Sequence, residues 1–225
     1  SANENGFYVY QNGVQIAVLP SGTTSFEVLG LDADTFYSFK IVAFNAQEKA
    51  KSNTVRVATL PNSPSVAQNI AICGTGVGYV QLTGAATQGG AYRWYADAVG
   101  GDPLAELSQG FFETPSLTQT TTFYATTLSP SGLESSPRFA IEVFVYENVE
   151  ASLLEGNVVK ACSSETTVHA TEQAGATYQW KVNGVLTTET STGLLASKNG
   201  RYELIVTRNS CSDSYAFEVI TNYKP

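Results

Sequence analysis

Two-residue alternation dominates the chain. In LDADTFYSFKIVAFN, residues 31–45, a polar turn separates Leu31 from Tyr37, and Phe39, Ile41 and Ala43 follow at every second position. Successive side chains of a strand point to opposite faces, so this run predicts a strand with one apolar face. The arrangement returns twice. Leu117 precedes Phe123 by six residues in SLTQTTTFYATT, and KNGRYELIVT sets Tyr202 ahead of Leu204 and Val206. The anchors at 37, 123 and 202 lie 86 and 79 residues apart. That period suits repeated β-sandwich modules.

A second pattern recurs upstream of the first. AYRWYADAVGG and ATYQWKVNGV each place a Tyr and a Trp two residues apart, ahead of a Gly turn. Tyr92 with Trp94, and Tyr178 with Trp180, then face one side of a strand. FYVYQNGVQI is the shorter counterpart in the first copy. Asn12-Gly13 and Asn183-Gly184 are two-residue hairpin signals, because both turn positions need positive φ. No long segment carries helical periodicity; AQEKAK, the nearest candidate, falls in a hairpin loop of this frame. Pro-, Asn- and Ser-rich ATLPNSPSVAQN and the stretch VYENVEAS mark the joins. Short, stiff linkers of this kind favour an extended row of modules. The divisions are residues 1–61, 65–146 and 147–225.

Composition narrows the classes. Apolar residues make up 43% of the 225 and charged residues 14%, with a net charge of -8. An acidic surface repels phosphate backbones, which argues against nucleic acid as a partner. No apolar run is long enough to span a bilayer as a helix, so direct membrane insertion is not expected. Met is absent and no signal peptide is visible. A chain that begins SANENGFYVY therefore reads as a processed or engineered product, or part of something longer.

The first copy resembles the C-terminal part of a fibronectin type III domain. YVYQNGVQI, SFEVLGLDADTFYSFKIVAFNAQ and SNTVRVATL match that family's strands C, C′, E, F and G over residues 5–60. The resemblance puts Tyr37 at the tyrosine corner, where the phenol bonds back to upstream backbone. The second copy, CGTGVGYVQLTGAATQGGAYRWYADAVGGDPLAE with TPSLTQTTTFYATTLSPSGLESSPR, looks like the Ig-like modules of bacterial surface and secreted multidomain proteins. The third, from ACSSETTVHATEQAGATYQWKVNGV to NGRYELIVTRNSCSDSYAFEV, looks like a close relative. The expected fold is all-β: three tandem Ig-like or fibronectin type III sandwiches, the first lacking its N-terminal strands. About 20 residues, enough for strands A and B, are absent from the first copy by comparison with the others. Either the polypeptide continues upstream, or another chain donates the strands by β-augmentation.

Three cysteines remain to be placed. Aligning the second and third copies on their Trp residues sets Cys73 level with Cys162, and Leu133 where Cys211 stands. This predicts a Cys162–Cys211 bridge, worth about 3–4 kcal/mol for a loop of about 50 residues. The usual inter-sheet Ig positions fall near Val168 and Leu204, so such a bridge needs a local departure from that topology. Cys73 is expected to be a small buried hydrophobe.

Catalytic chemistry finds little support. His169, the single histidine, sits in the alternating run TTVHATE with no nucleophile signature nearby, and reads as a solvent-facing strand residue. Asp32 with Asp34, and Asp97 with Asp102, suit turn capping better than calcium, since no dense D-x-D-x-D-G loop is present. Glu113 and Glu134 are not placed across a cleft as a glycosidase pair would be. GTGVG at 74–78 lacks the Lys and the helix of a phosphate loop. No catalytic, metal or cofactor site is expected. The structural residues are Tyr37, Trp94, Phe123, Trp180 and Tyr202. Tyr95, Tyr124 and Phe112 are candidates for an outward aromatic patch that contacts a surface glycan or a protein ligand.

The resemblances imply a non-catalytic spacer, display stalk or adhesive segment of a large secreted or cell-surface bacterial protein, partnered by further modules of its parent. Accessory modules of a secreted hydrolase, or a subunit of an extracellular filament or complex completed by strand donation, are the alternatives.

Overall fold

The computed structural model describes residues 4–66, 70–84 and 89–225. The described residues form twenty strands in five sheets and contain no helix. By compactness the chain divides into two units. One comprises Ser1–Gln68, Val80–Phe112 and Thr122–Ile141; the other comprises Asn69–Tyr79, Glu113–Thr121 and Glu142–Pro225.

The chain opens on a single sheet. Strands β1 (Gly6–Gln11), β2 (Val14–Pro20), β3 (Phe36–Phe44) and β4 (Lys49–Lys51) lie in the order β2-β1-β3-β4, and β5 (Val55–Ala58) pairs with β3. Asn12 and Gly13 close the β1–β2 hairpin at φ of 49° and 84°. That is the left-handed pair expected from the dipeptide. The Tyr37 hydroxyl accepts a 2.9 Å hydrogen bond from the Asp32 backbone N–H, as the corner geometry requires. One expected strand does not form. Residues 25–30, SFEVLG, run without ladder partners among the described residues, and Phe26 and Leu29 stand exposed. A strand needs a neighbour to satisfy its backbone, and this segment has none.

Next come β6 (Ser65–Val66), β7 (Ile70–Cys73), β8 (Tyr79–Thr83), β9 (Ala91–Tyr95), β10 (Ala105–Leu107), β11 (Phe111–Glu113), β12 (Thr121–Leu128) and β13 (Phe139–Tyr146). They form a five-stranded sheet, β10-β9-β12-β13-β7, and a three-stranded one, β11-β8-β6. Alternation sends Tyr92, Trp94, Phe123 and Ala125 to the buried face. Trp94 is fully buried and stacks on Phe112 at 4.4 Å, and Phe112 meets Phe123 edge-on at 5.7 Å.

The last sandwich is built from β14 (Val158–Lys160), β15 (Thr166–His169), β16 (Thr177–Val182), β17 (Val185–Leu186), β18 (Gly193–Ala196), β19 (Gly200–Arg208) and β20 (Cys211–Ile220). Its sheets run β14-β20-β19-β16-β17 and β15-β18. Trp180, Tyr202, Leu204 and Val206 form its centre with Val168 and Phe217. Each polar tip inside finds a partner. Trp180 Nε1–H donates to the Ser191 carbonyl at 2.9 Å, and the Tyr202 hydroxyl to the Lys198 carbonyl at 2.8 Å. Asn183-Gly184 again closes a two-residue hairpin, at φ of 49° and 82°.

Candidate functional site

Three constellations outside the cores bear on function: a disulfide at the end of β7, a polar cluster around Glu134, and an apolar groove on the first sheet.

The disulfide joins Cys73 to Cys211, with 5.6 Å between the Cα atoms and a sequence separation of 138. Cys73 ends β7, which runs parallel to β13 with Cys73 opposite Tyr146. Cys211 begins β20, immediately after the tight Asn209-Ser210 turn from β19, and is buried. Asn209 accepts the left-handed conformation there at φ 54°, which Asn tolerates well. The expected Cys162–Cys211 bridge is therefore not the one formed. Its obstacle is distance along the strand. β14 pairs Lys160 with Ile220, so Cys162 lies at the far end of β20 from Cys211. Nine residue steps of strand separate Cys211 from Ile220, about 30 Å at the usual rise. Cys73, expected as a buried hydrophobe, is exposed and bonded, and Cys162 is an exposed free thiol.

Hydrogen bonds gather the chain between β13 and β14 around that bridge. Gly74 N–H donates to the Tyr146 carbonyl at 2.7 Å. Arg208, on the bridged hairpin, reaches the Glu147 carboxylate at 3.1 Å and the Asn148 carbonyl at 3.3 Å. The Asp213 carboxylate accepts from the Ala151 N–H at 2.8 Å, and the Gln173 amide donates to the Glu150 carbonyl at 2.6 Å. Gly74 holds φ +70°, and a Cβ built on it would meet the Asn148 side chain at 2.6 Å. The conformation favours glycine, and a Cβ there would force the Asn148 side chain to move. The segment 146–151 is thus held on one side by the Gly74–Tyr146 hydrogen bond and on the other by the charge-assisted contacts of Arg208 and Asp213.

Glu134 anchors the polar cluster. Its carboxylate accepts from the Tyr95 hydroxyl at 2.6 Å, Thr126 Oγ1 at 2.8 Å and Arg93 Nη1 at 2.5 Å, while Arg93 Nε also binds Glu106 at 2.8 Å. Burial opposes ionisation of Glu134, but the hydrogen bonds from Tyr95, Thr126 and Arg93 outweigh it and hold the carboxyl below the ordinary range. Burial, then hydrogen bonding to Glu134, pushes the Tyr95 phenol up. Three donors from two neighbouring strands converge on this one carboxylate, and Arg93 continues to Glu106. The cluster is therefore a cross-strand brace on the outer face of β9 and β12.

This brace explains why the expected aromatic patch is not displayed. Tyr95 does point away from Trp94, yet only 3% of it is exposed. The Arg138 guanidinium lies over its ring at 3.3 Å and seals it. Phe112, 6% exposed, belongs to the other sheet and turns into the core against Trp94. Tyr124 is half-buried. His169 is half-exposed and pairs through Nδ1 with Glu155 at 2.7 Å. Burial resists ionisation of Glu155, and the backbone and ring hydrogen bonds from His169 overcome it and lower its pKa. Among the described residues no three His, Cys, Asp or Glu side chains converge as metal ligands would.

On the first sheet, a groove of about 420 Å³ opens over one face, lined by Phe7, Val9, Leu19, Phe26, Val28 and Ile41. The Leu31-to-Ala43 alternation supplies part of this face, and Ile41 and Phe26 remain substantially exposed there.

No curated protein matches the chain. Among solved structures, it is similar to Sidekick-1 immunoglobulin domains 1–4, with TM-score 0.32 and 12% identity over 97% of this chain and 68% of that one. It is also similar to an I-band fragment of titin, with TM-score 0.31 and 9% identity over 96% and 87%. The central fibronectin-III array of RIM-binding protein gives TM-score 0.29 and 12% identity over 98% and 88%. The sheets described above establish tandem β-sandwich architecture independently of these. Residues 61–146, the stretch that builds the Trp94 core, match the family described as the Ig-like domain that is CHU_C associated.

Proposed function

We propose that the chain is a non-catalytic structural segment of a large extracellular or cell-surface bacterial protein, in which tandem sandwiches space or display what the rest of that protein carries. The observation that carries this reading is the Cys73–Cys211 bridge. It ties the end of β7, in the sandwich that holds Trp94, to the β19–β20 hairpin of the sandwich that holds Trp180. A disulfide of this kind suits an oxidising compartment, and the family match at 61–146 agrees with an extracellular setting. Tension applied at the two ends of the chain passes from Cys73 directly into Cys211, so residues 74–210 stay out of the load path. A spacer that must keep its length under pull gains from that shortcut.

Single-molecule force spectroscopy on the full chain, held at its termini, tests the reading. The oxidised chain is expected not to release the enclosed segment. Reductant should add the extension of a 138-residue loop, on the order of 480 Å at roughly 3.5 Å per residue. Equal extension with and without reductant, in chains whose bridge is verified intact before pulling, would sink it.

The groove on the first sheet favours a second reading, in which an extended segment lays a strand or strands over that face. The segment belongs either to the same polypeptide or to another chain. Light scattering separates the two for a self-assembling subunit: a strictly monomeric, well-folded chain argues against donation between copies. Of the three rings of the carbohydrate-contacting reading, Tyr95 is sealed under Arg138, Phe112 is in the core and Tyr124 is half-buried, and no observation favours it.

A further inference from the structure

By register along the two closing strands, Cys162 is the counterpart of Cys73. The closing strands align residue for residue: Phe139-Ala140-Ile141-Glu142-Val143 in β13 against Tyr215-Ala216-Phe217-Glu218-Val219 in β20. Val143 lies opposite Ile70, and Val219 lies opposite Val159. Each sandwich therefore brings a short parallel strand alongside its closing strand in one register. Counting three residues on from Ile70 and from Val159 reaches Cys73 and Cys162. Both sit beside the chain as it leaves the sandwich. Gly74 N–H binds the Tyr146 carbonyl, and in the last sandwich Asn222 N–H binds the Ser163 carbonyl while Tyr223 N–H binds the Ala161 carbonyl. In the first case the departing chain leads into a sandwich whose hairpin delivers Cys211 to Cys73. In the second, the same position holds an exposed free thiol.

A hairpin cysteine is present at 211, where the preceding sandwich offers Cys73; at the corresponding place in the β12–β13 connection stands Leu133. The sandwich of β14–β20 thus carries one half of a bridge at each end: Cys211 at its entry hairpin, Cys162 at its exit.

We propose that Cys162 is the receiving half of a second inter-sandwich disulfide, whose other half is the hairpin-turn cysteine of an Ig-like sandwich placed after the last one described. The inference rests on reading Cys73–Cys211 as such a staple. Its chemistry is ordinary thiol–disulfide exchange. The Cys162 thiolate attacks a small-molecule disulfide such as oxidised glutathione, and the hairpin thiolate resolves the mixed disulfide. Two thiols lose two electrons and two protons, and the oxidant leaves as two thiols.

The test appends a second copy of residues 147–225 to the full chain and folds it in a glutathione redox buffer. Free thiols are alkylated, and the product is digested without reductant and mapped by mass spectrometry. The expected links are Cys73–Cys211 and Cys162 to the appended hairpin cysteine, with one alkylated thiol per chain, the Cys162 equivalent of the appended copy. Alkylated Cys162 beside an intact Cys73–Cys211 link overturns this proposal and leaves the staple reading standing. A Cys162–Cys211 link with Cys73 alkylated overturns both. A link from Cys162 that runs only between separate chains also overturns the proposal. A matched fusion with Ser at the appended hairpin position controls for folding. Its circular dichroism should equal that of the parent, and Cys162 should be fully labelled.

Discussion

At the scale of single residues, Tyr37, Trp180 and Tyr202 each combine a buried ring with a satisfied polar tip, whereas Trp94 Nε1 is buried with no hydrogen-bond partner among the described residues. Tyr202 is 2% exposed and gives its hydroxyl proton to the Lys198 carbonyl. Tyr202→Phe removes that bond and leaves the ring's packing, so a loss of about 1 kcal/mol is expected in urea unfolding. No change in midpoint would show the bond to be energetically silent. Glu134 makes a prediction in pH. Its folded pKa lies below the ordinary carboxylate value. Its stabilisation is thus fully present above that ordinary value and is lost as pH falls through the depressed folded one. Glu134→Gln should flatten the decline in stability between about pH 5 and about pH 3, compared with the parent chain. An identical acid profile would show that the brace does not ionise as described. The cluster itself was only partly legible in sequence. Glu134 comes from the β12–β13 connection and Arg138 from the start of the following strand, and alternation within β9 says nothing about either. For the same reason Tyr95 is sealed although its strand directs it outward.

At the scale of elements, the hairpins and the inward faces could be read almost directly, because a period of two and an Asn-Gly pair each have one physical solution. Tyr92 with Trp94, and Tyr178 with Trp180, are buried together as that period requires. Two elements escaped. Residues 25–30 alternate like a strand but lack a partner, since alternation reports a preference for a pleated surface rather than the presence of a neighbour. Phe112 and Phe123 lie on different sheets, so parity along one strand cannot be carried to the other. The turn after β7 gives the test at this scale. Gly74→Ala demands positive φ from a residue with a Cβ and drives that atom into Asn148. The strain alone is worth about 1–2 kcal/mol. Faster amide exchange is expected at Gly76 and at Leu117, whose N–H groups bind each other's carbonyls just beyond the turn. Gly184→Ala, at φ 82° in open space, serves as a control: the same backbone penalty without the clash. Equal effects at the two sites would mean that Asn148 yields freely.

For the whole molecule, what matters is which cysteines meet, and this is the point at which sequence comparison failed. Comparing copies with one another suggested a pairing inside one sandwich. The pairing that forms depends on how the end of one strand meets the hairpin of the following sandwich, which no comparison within a copy contains. The bridge couples stability across that junction. If the β14–β20 sandwich unfolds alone, Cys211 stays tethered to Cys73, and the chain between β13 and the hairpin is confined to a loop of roughly 65 residues. By chain entropy that confinement is worth about 4 kcal/mol. Cys73→Ser should therefore cut the protection of the slowest amides of β16 and β19 by up to about that amount in hydrogen exchange. Amides of β9 and β12 should change much less, because their unfolding is not what the tether restricts most. Cys162→Ser is the counterpart and should leave both sets unchanged, since that thiol is free and exposed. A loss of protection that falls equally on both sandwiches would place the bridge's contribution in native packing. Loss on Cys162→Ser in place of Cys73→Ser would mean that Cys211 closes within its own sandwich, and would remove the covalent shortcut from which the spacer role follows.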